Sequence, residues 1–144
     1  MYIFAEDQLK DLQQCEKEYS FTKKYGNLHN VYLDNQTKVN TKVVAVIEDF
    51  YAQKCTTYYF LKYVEGSYCK FHKDEGEYDF NACITLLNKQ DLQGGLTLTW
   101  EDACVDVRDF HVGESFFNKP GDVHGVSLIH GGLREVFVTW FKGM

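Results

Sequence analysis

From residue 56 onward, apolar and polar residues alternate, and short β-rich runs are cut at intervals by Gly, Asn or Pro. Side chains two apart on an extended chain face the same way, so this period predicts strands that bury one face. TTYYFLKYVEG alternates Tyr and Leu with Thr and Lys and reads as a strand closing at Gly66. SYCKFHKD and then YDFNACITLLN continue the β-rich run, and NKQDLQGG reads as a turn. LTLTW, CVDVRDFHV, ESFFN and VHGVSL are further short strands, and REVFVTWF closes the chain with strong alternation. Seven or eight strands at such even spacing predict a sandwich or small barrel.

The first third has a different period. FAEDQLKDLQQCEKEY places Phe4 or Ala5, Leu9, Leu12 and Tyr19 near one helical face. VNTKVVAVIEDFYAQKC repeats Val43, Val46, Ile47 and Phe50 at helical spacing, with Asn40 or Thr41 as its cap. Between them, YGNLHNVYLDNQT reads as loop or a short hairpin. The expectation is one domain over residues 1–144, mostly β, with helices within 1–55 and a β core over 56–144.

Composition narrows the function. A net charge of −6 disfavours a general binder of nucleic-acid backbone. No apolar run approaches the roughly 18 residues of a membrane span, and MYIFAEDQLK lacks the order of a signal peptide, so a cytoplasmic location without a membrane partner is expected. Cys15, Cys55, Cys69, Cys83 and Cys104 are odd in number and never spaced CxxC, which argues for reduced thiols over disulfides or structural zinc.

The chemistry gathers at two places. In FHKDEG, a strand would project His72 and Asp74 from one face and Lys73 from the other. An imidazole and a carboxylate on one face are two legs of a metal site, and a second histidine would complete the facial triad used by non-haem Fe(II) oxygenases. His124, opening the strand HGVSL after NKPGD, is the natural third leg; His130 is its rival, in an expected turn with Gly131 and Gly132. His111, in an expected strand with Phe110 and Val112, and His29, in the loop between helices, read as structural or surface residues. Cys69 should face away from His72 into the core, and Glu75, Glu77 and Asp79 read as a solvated loop or as a lid.

Arg134 should share a strand face with Val136, Val138 and Trp140, while Glu135 faces the other way. A guanidinium among apolar neighbours is expensive to bury unless an anion pairs with it. A carboxylate on a small molecule matches its fork. The expectation is a metal site with an anion clamp beside it.

Residues Tyr59 to Phe141 resemble the Fe(II)/2-oxoglutarate-dependent dioxygenases, in their prolyl-hydroxylase-like branch. The resemblance runs in order through YVEGSYCKFHKD, ACITLLN, LQGGLTL, VGESFFN and HGVSLIHGGLREVFVTWF. It implies a double-stranded β-helix, or jelly roll, with helices packed on one sheet. It implies Fe(II) on His72, Asp74 and His124, and 2-oxoglutarate with its distal carboxylate on Arg134. Tyr63 would hydrogen-bond the cosubstrate, Thr97 would line its pocket, and Trp140 would wall the cavity near the substrate. O2 is then the co-reactant, ascorbate a further candidate cofactor, and a peptide or small molecule the substrate, peptidyl proline first. The implied reaction hydroxylates an unactivated carbon and releases succinate and carbon dioxide. Leu86 stands where some members carry a tyrosine, which leaves Thr97 or Thr85 to replace its hydrogen bond. The rival classes are a noncatalytic, cupin-like metal-binding jelly roll, which has no need of Arg134, and a plain β-sandwich interaction module.

Overall fold

A computed structural model of the chain describes residues 1–17, 23–25, 31–34, 39, 41–73, 80–101, 103–119 and 121–142. Helix α1 (Glu6–Lys17) opens on Glu6 and Asp7 and ends on Lys17, charges that complement the helix dipole. Strands β1 (Lys23–Tyr25) and β2 (Val31–Asp34) pair antiparallel, in keeping with a hairpin in this stretch, and α2 (Thr41–Tyr51) follows. The β core comprises β3 (Cys55–Tyr63), β4 (Cys69–His72), β5 (Phe80–Gly94), β6 (Thr97–Glu101), β7 (Cys104–Arg108), β8 (Ser115–Asn118), β9 (Val123–Val126) and β10 (Ile129–Lys142). His29, Glu75, Glu77 and Asp79 lie outside the described residues.

The strands form two antiparallel sheets, one ordered β1-β2-β3-β10-β5-β8 and the other β4-β9-β6-β7. β10 is the hinge of this arrangement because it pairs with β3 on one side and β5 on the other. Its alternation serves two apolar layers. Val136 and Val138 pack with Leu61, Leu86 and Val126 between the sheets. Phe137 and Phe141 pack with Phe60, Leu12, Val43 and Ile47 beneath the helices. A strand covered on both faces reads as nearly continuous apolar sequence, as VFVTWF does.

The structure corrects several expectations. NKQDLQGG is not a turn through most of its length: β5 runs on to Gly94, because those residues ladder against Ile129 to Glu135 of β10. The register slips there at Ile129/Gly131 and Gly131/Leu133, and Asp91 takes a φ of 46°. Gly132, at φ +87°, has no room for a β-carbon beside the Asp91 carbonyl. His130 is therefore in a strand rather than a turn, and it is exposed. His111 lies beyond the end of β7 and is exposed.

At the far edge, Glu114 accepts the His111 backbone N–H at 3.1 Å and contacts the Met1 ammonium at 3.3 Å. The His111 hydrogen bond, with the ammonium behind it, holds the Glu114 carboxyl below its ordinary value of 4.5. A depressed carboxyl stabilises the fold above that ordinary value and loses the contribution as pH falls through its folded value. Glu114→Gln should therefore cost at most about 0.5 kcal/mol at pH 7, since the pair is solvent-screened. In urea melts, the gap between wild type and variant should close as pH falls through the folded value of that carboxyl.

Candidate metal centre and its cavity

β4 and β9 set two imidazoles side by side. His72 pairs with His124 across the ladder, and their ring centroids lie 4.4 Å apart at 58°. His72 Nδ1 is 2.7 Å from the Lys70 carbonyl and His124 Nδ1 is 2.9 Å from the Asp122 carbonyl. A carbonyl only accepts, so each Nδ1 carries the proton and donates. Each neutral ring then keeps its lone pair on Nε2, the arrangement in which backbone groups orient metal-binding histidines. The residues present thus fit a divalent transition metal.

Asp74 lies outside the described residues. Among the described residues, no group of three or more His, Cys, Asp or Glu side chains is disposed to hold a metal ion. β4 ends at His72. Cys69 calls for a correction. Three positions apart, it should face away from His72, yet the ladder slips between the two, and Cys69 Sγ lies 3.5 Å from His72 Nδ1. Both line the same cavity.

The close approach of β4 and β9 depends on Gly125, beside His124. A β-carbon there would lie 2.6 Å from the Cys69 carbonyl oxygen, which is backbone and cannot swing aside. Gly125→Ala should force the strands apart and weaken the site. We expect a loss of about 1–3 kcal/mol in stability by chemical denaturation and about a tenfold fall in metal affinity by competition titration.

The cavity lies between the two sheets and spans about 610 Å³ of atom-free space out to its open mouth. Arg134 closes one end. It is 3% exposed, and its guanidinium sits 4.8 Å from the Tyr63 ring centroid. Its Nη2 donates a long 3.4 Å hydrogen bond to Thr97 Oγ1. Among the described residues no carboxylate pairs with it. Burial pulls the guanidinium below its ordinary pKa, and Tyr63 opposes that shift. Val136 and Val138 of the same strand face wall the cavity, as the alternation predicts.

Trp140 lies at the opposite end of that face, its Nε1 donating to the Tyr59 hydroxyl at 2.7 Å. Leu86 turns into the apolar layer between the sheets. Thr85 does not reach the cavity: its hydroxyl is bound to Ser115 Oγ at 2.7 Å in the opposite layer. Of the two threonines, only Thr97 stands beside the guanidinium.

Sequence reasoning missed Asn118 and Tyr59, both of which line the cavity. The period-two rule could have found them, since Phe116 and Asn118 share one face of β8, and Tyr59 and Tyr63 one face of β3.

No family model matches this sequence, and no curated protein matches it. Solved structures share its fold. An oxidoreductase of the 2OG-Fe(II) oxygenase family from Burkholderia pseudomallei is 12% identical with a TM-score of 0.76, covering 97% of this chain and 81% of its own. A prolyl hydroxylase from Trichoplax adhaerens, in complex with a hypoxia inducible factor oxygen degradation domain peptide fragment, is 12% identical with a TM-score of 0.74, covering 98% and 81%. HygX from Streptomyces hygroscopicus, with nickel, 2-oxoglutarate and hygromycin B bound, is 9% identical with a TM-score of 0.74, covering 99% and 80%. At these identities the likeness is one of fold.

Proposed function

We propose that this chain is an Fe(II)- and 2-oxoglutarate-dependent dioxygenase, a single jelly-roll domain that hydroxylates an unactivated carbon. The observation that carries the reading is Arg134, a buried guanidinium with no carboxylate partner among the described residues, in one cavity with His72 and His124. A cupin-like metal-binding protein has no use for that cation. A dicarboxylate cosubstrate does. The fold shared with 2OG-Fe(II) oxygenases supports the same reaction class.

In this reading His72 and His124, through Nε2, and Asp74 hold Fe(II). Arg134 receives the distal carboxylate of 2-oxoglutarate, with the Thr97 hydroxyl beside it and the Tyr63 ring against the guanidinium. Thr97 thus stands in for the tyrosine that Leu86 replaces. When bound, the iron and cosubstrate supply the oxidative chemistry that yields succinate, carbon dioxide and a hydroxylated product. The protein's own work is geometric. The Lys70 and Asp122 carbonyls hold the protons on Nδ1 and so keep each ring in its metal-binding tautomer. Val136, Val138 and Ile84 keep water off the reacting centre. Peptidyl proline is the first substrate to try.

The test is anaerobic loading with Fe(II) and 2-oxoglutarate, admission of oxygen, and an assay of succinate with proline-containing peptides present and absent. Succinate is expected from the wild type, and none from Arg134→Ala. A wild-type protein that takes up no iron and makes no succinate would overturn the proposal.

A further inference from the structure

At the end of the cavity away from Arg134, Trp140, Ala82 and Asn118 stand in one row across β10, β5 and β8. Neighbouring strands lie about 4.8 Å apart, so the outer two residues of the row are separated by about 10 Å of backbone. The methyl of Ala82 fills little of that interval, which leaves a slot between an indole and a carboxamide. The indole N–H is already engaged with Tyr59. The Asn118 amide is not: the residue is 4% exposed, and its Nδ2 is buried with no hydrogen-bond partner among the described residues.

Buried amide donors without partners are rare in native proteins and cost stability, so their retention asks for a reason. The donor requires an acceptor, and its surroundings choose which kind. Ala82, Ile84, Phe116 and Trp140 are apolar or aromatic, and the cavity's guanidinium is at the other end. The Arg108 guanidinium in the adjoining groove is already paired with Asp106 at 2.9 Å, so a carboxylate lodged here would lack a free countercharge, whereas a neutral carbonyl needs none.

Asn118 also marks a junction. A second, solvent-open groove shares Thr97, Phe116 and Asn118 with the cavity and continues past Trp100 and Arg108. Phe116 stacks on Phe110 at 4.3 Å and 17°, which gives the passage a flat aromatic side. A ligand reaching from the histidines past the amide therefore has room to continue as an extended chain.

We infer that Asn118 is a specificity-determining residue, whose Nδ2 donates to a backbone amide carbonyl of a peptide running from the cavity into the second groove. The inference rests on the dioxygenase reading and deepens it by assigning the contact that selects the substrate. Planar amides suit the slot, and one carbonyl on the Asn118 donor would fix which carbon of the chain faces the histidines.

The test uses 15N-labelled protein loaded with Zn(II), a diamagnetic stand-in for the iron, and with 2-oxoglutarate. An acetylated, amidated Ala-Pro-Gly peptide and, separately, acetate are titrated in. The Asn118 side-chain NH2 signals are assigned by their loss in Asn118→Asp, which keeps the shape and removes the donor. Addition of the peptide should shift those signals, acetate should not, and peptide affinity should fall at least about tenfold in Asn118→Asp and Asn118→Leu. Asn118→Leu should also melt higher than wild type, by roughly 3 °C, because a partnerless donor has been removed. An NH2 pair that ignores the peptide, a stronger response to acetate, or a peptide affinity unchanged from wild type in both variants would overturn the inference. Succinate formation by the wild type is read separately, so a protein that makes succinate while its Asn118 amide ignores the peptide refutes only this assignment.

Discussion

An Arg134→Met protein should keep its metal, lose 2-oxoglutarate and unfold at higher denaturant than the wild type. The three results have one cause. The guanidinium is buried beside Thr97 and Tyr63, with no carboxylate partner among the described residues. Replacing a buried charge with an apolar side chain of similar length removes a desolvation penalty, so the ligand-free protein should gain about 1–3 kcal/mol. The distal carboxylate of the cosubstrate would lose a charge-assisted, bidentate partner worth about 3 kcal/mol, a fall in affinity of roughly 150-fold. Calorimetry with 2-oxoglutarate and urea melts without it measure the two halves. A variant that binds the diacid as well as wild type, or that is less stable by several kcal/mol, would mean the chain itself satisfies the cation.

The other large effect concerns the histidines. His124→Ala should reduce retained iron after dialysis from about one ion per chain to under about a tenth, and succinate formation with it, because a ligand and its fixed tautomer are removed together. His130→Ala is the control. That side chain is exposed in β10, so its removal should leave iron uptake within about twofold of wild type. The reverse pattern, with iron lost from His130→Ala and kept by His124→Ala, would reassign the site. Proton competition for the ligands adds a sign: metal uptake should weaken, not strengthen, as the medium is made more acid.

Much of this was legible in the sequence because the period of two is a statement about faces. REVFVTWF placed Arg134, Val136, Val138 and Trp140 together and turned Glu135 away, and the structure has that order, with Glu135 bonded to Asn88 behind the sheet. The two helices were readable for the matching reason, and the described residues hold them as Glu6–Lys17 and Thr41–Tyr51. What failed were places where local chemistry gave way to pairing. NKQDLQ carries turn-forming residues but is drawn, with its irregularities, into the ladder by β10. Cys69 was sent to the wrong face because a register slip in β4 cannot be read from residue types. Asn118 closes the expected strand ESFFN without any mark of function, and only the row it forms with Ala82 and Trp140 reveals its position.

The placement of β10 bears on how fast this protein can acquire its shape. It is the last strand in chain order, yet it lies inside its sheet, with β3 and β5 as neighbours. Until it inserts, both neighbours expose unpaired edges, and closing the ladder with β3 spans most of the β region, with Arg134 opposite Tyr63. Topologies dominated by such distant pairings mature in milliseconds to seconds rather than microseconds. Refolding should therefore be slow, should aggregate at high concentration, and should regain metal affinity only in its final phase.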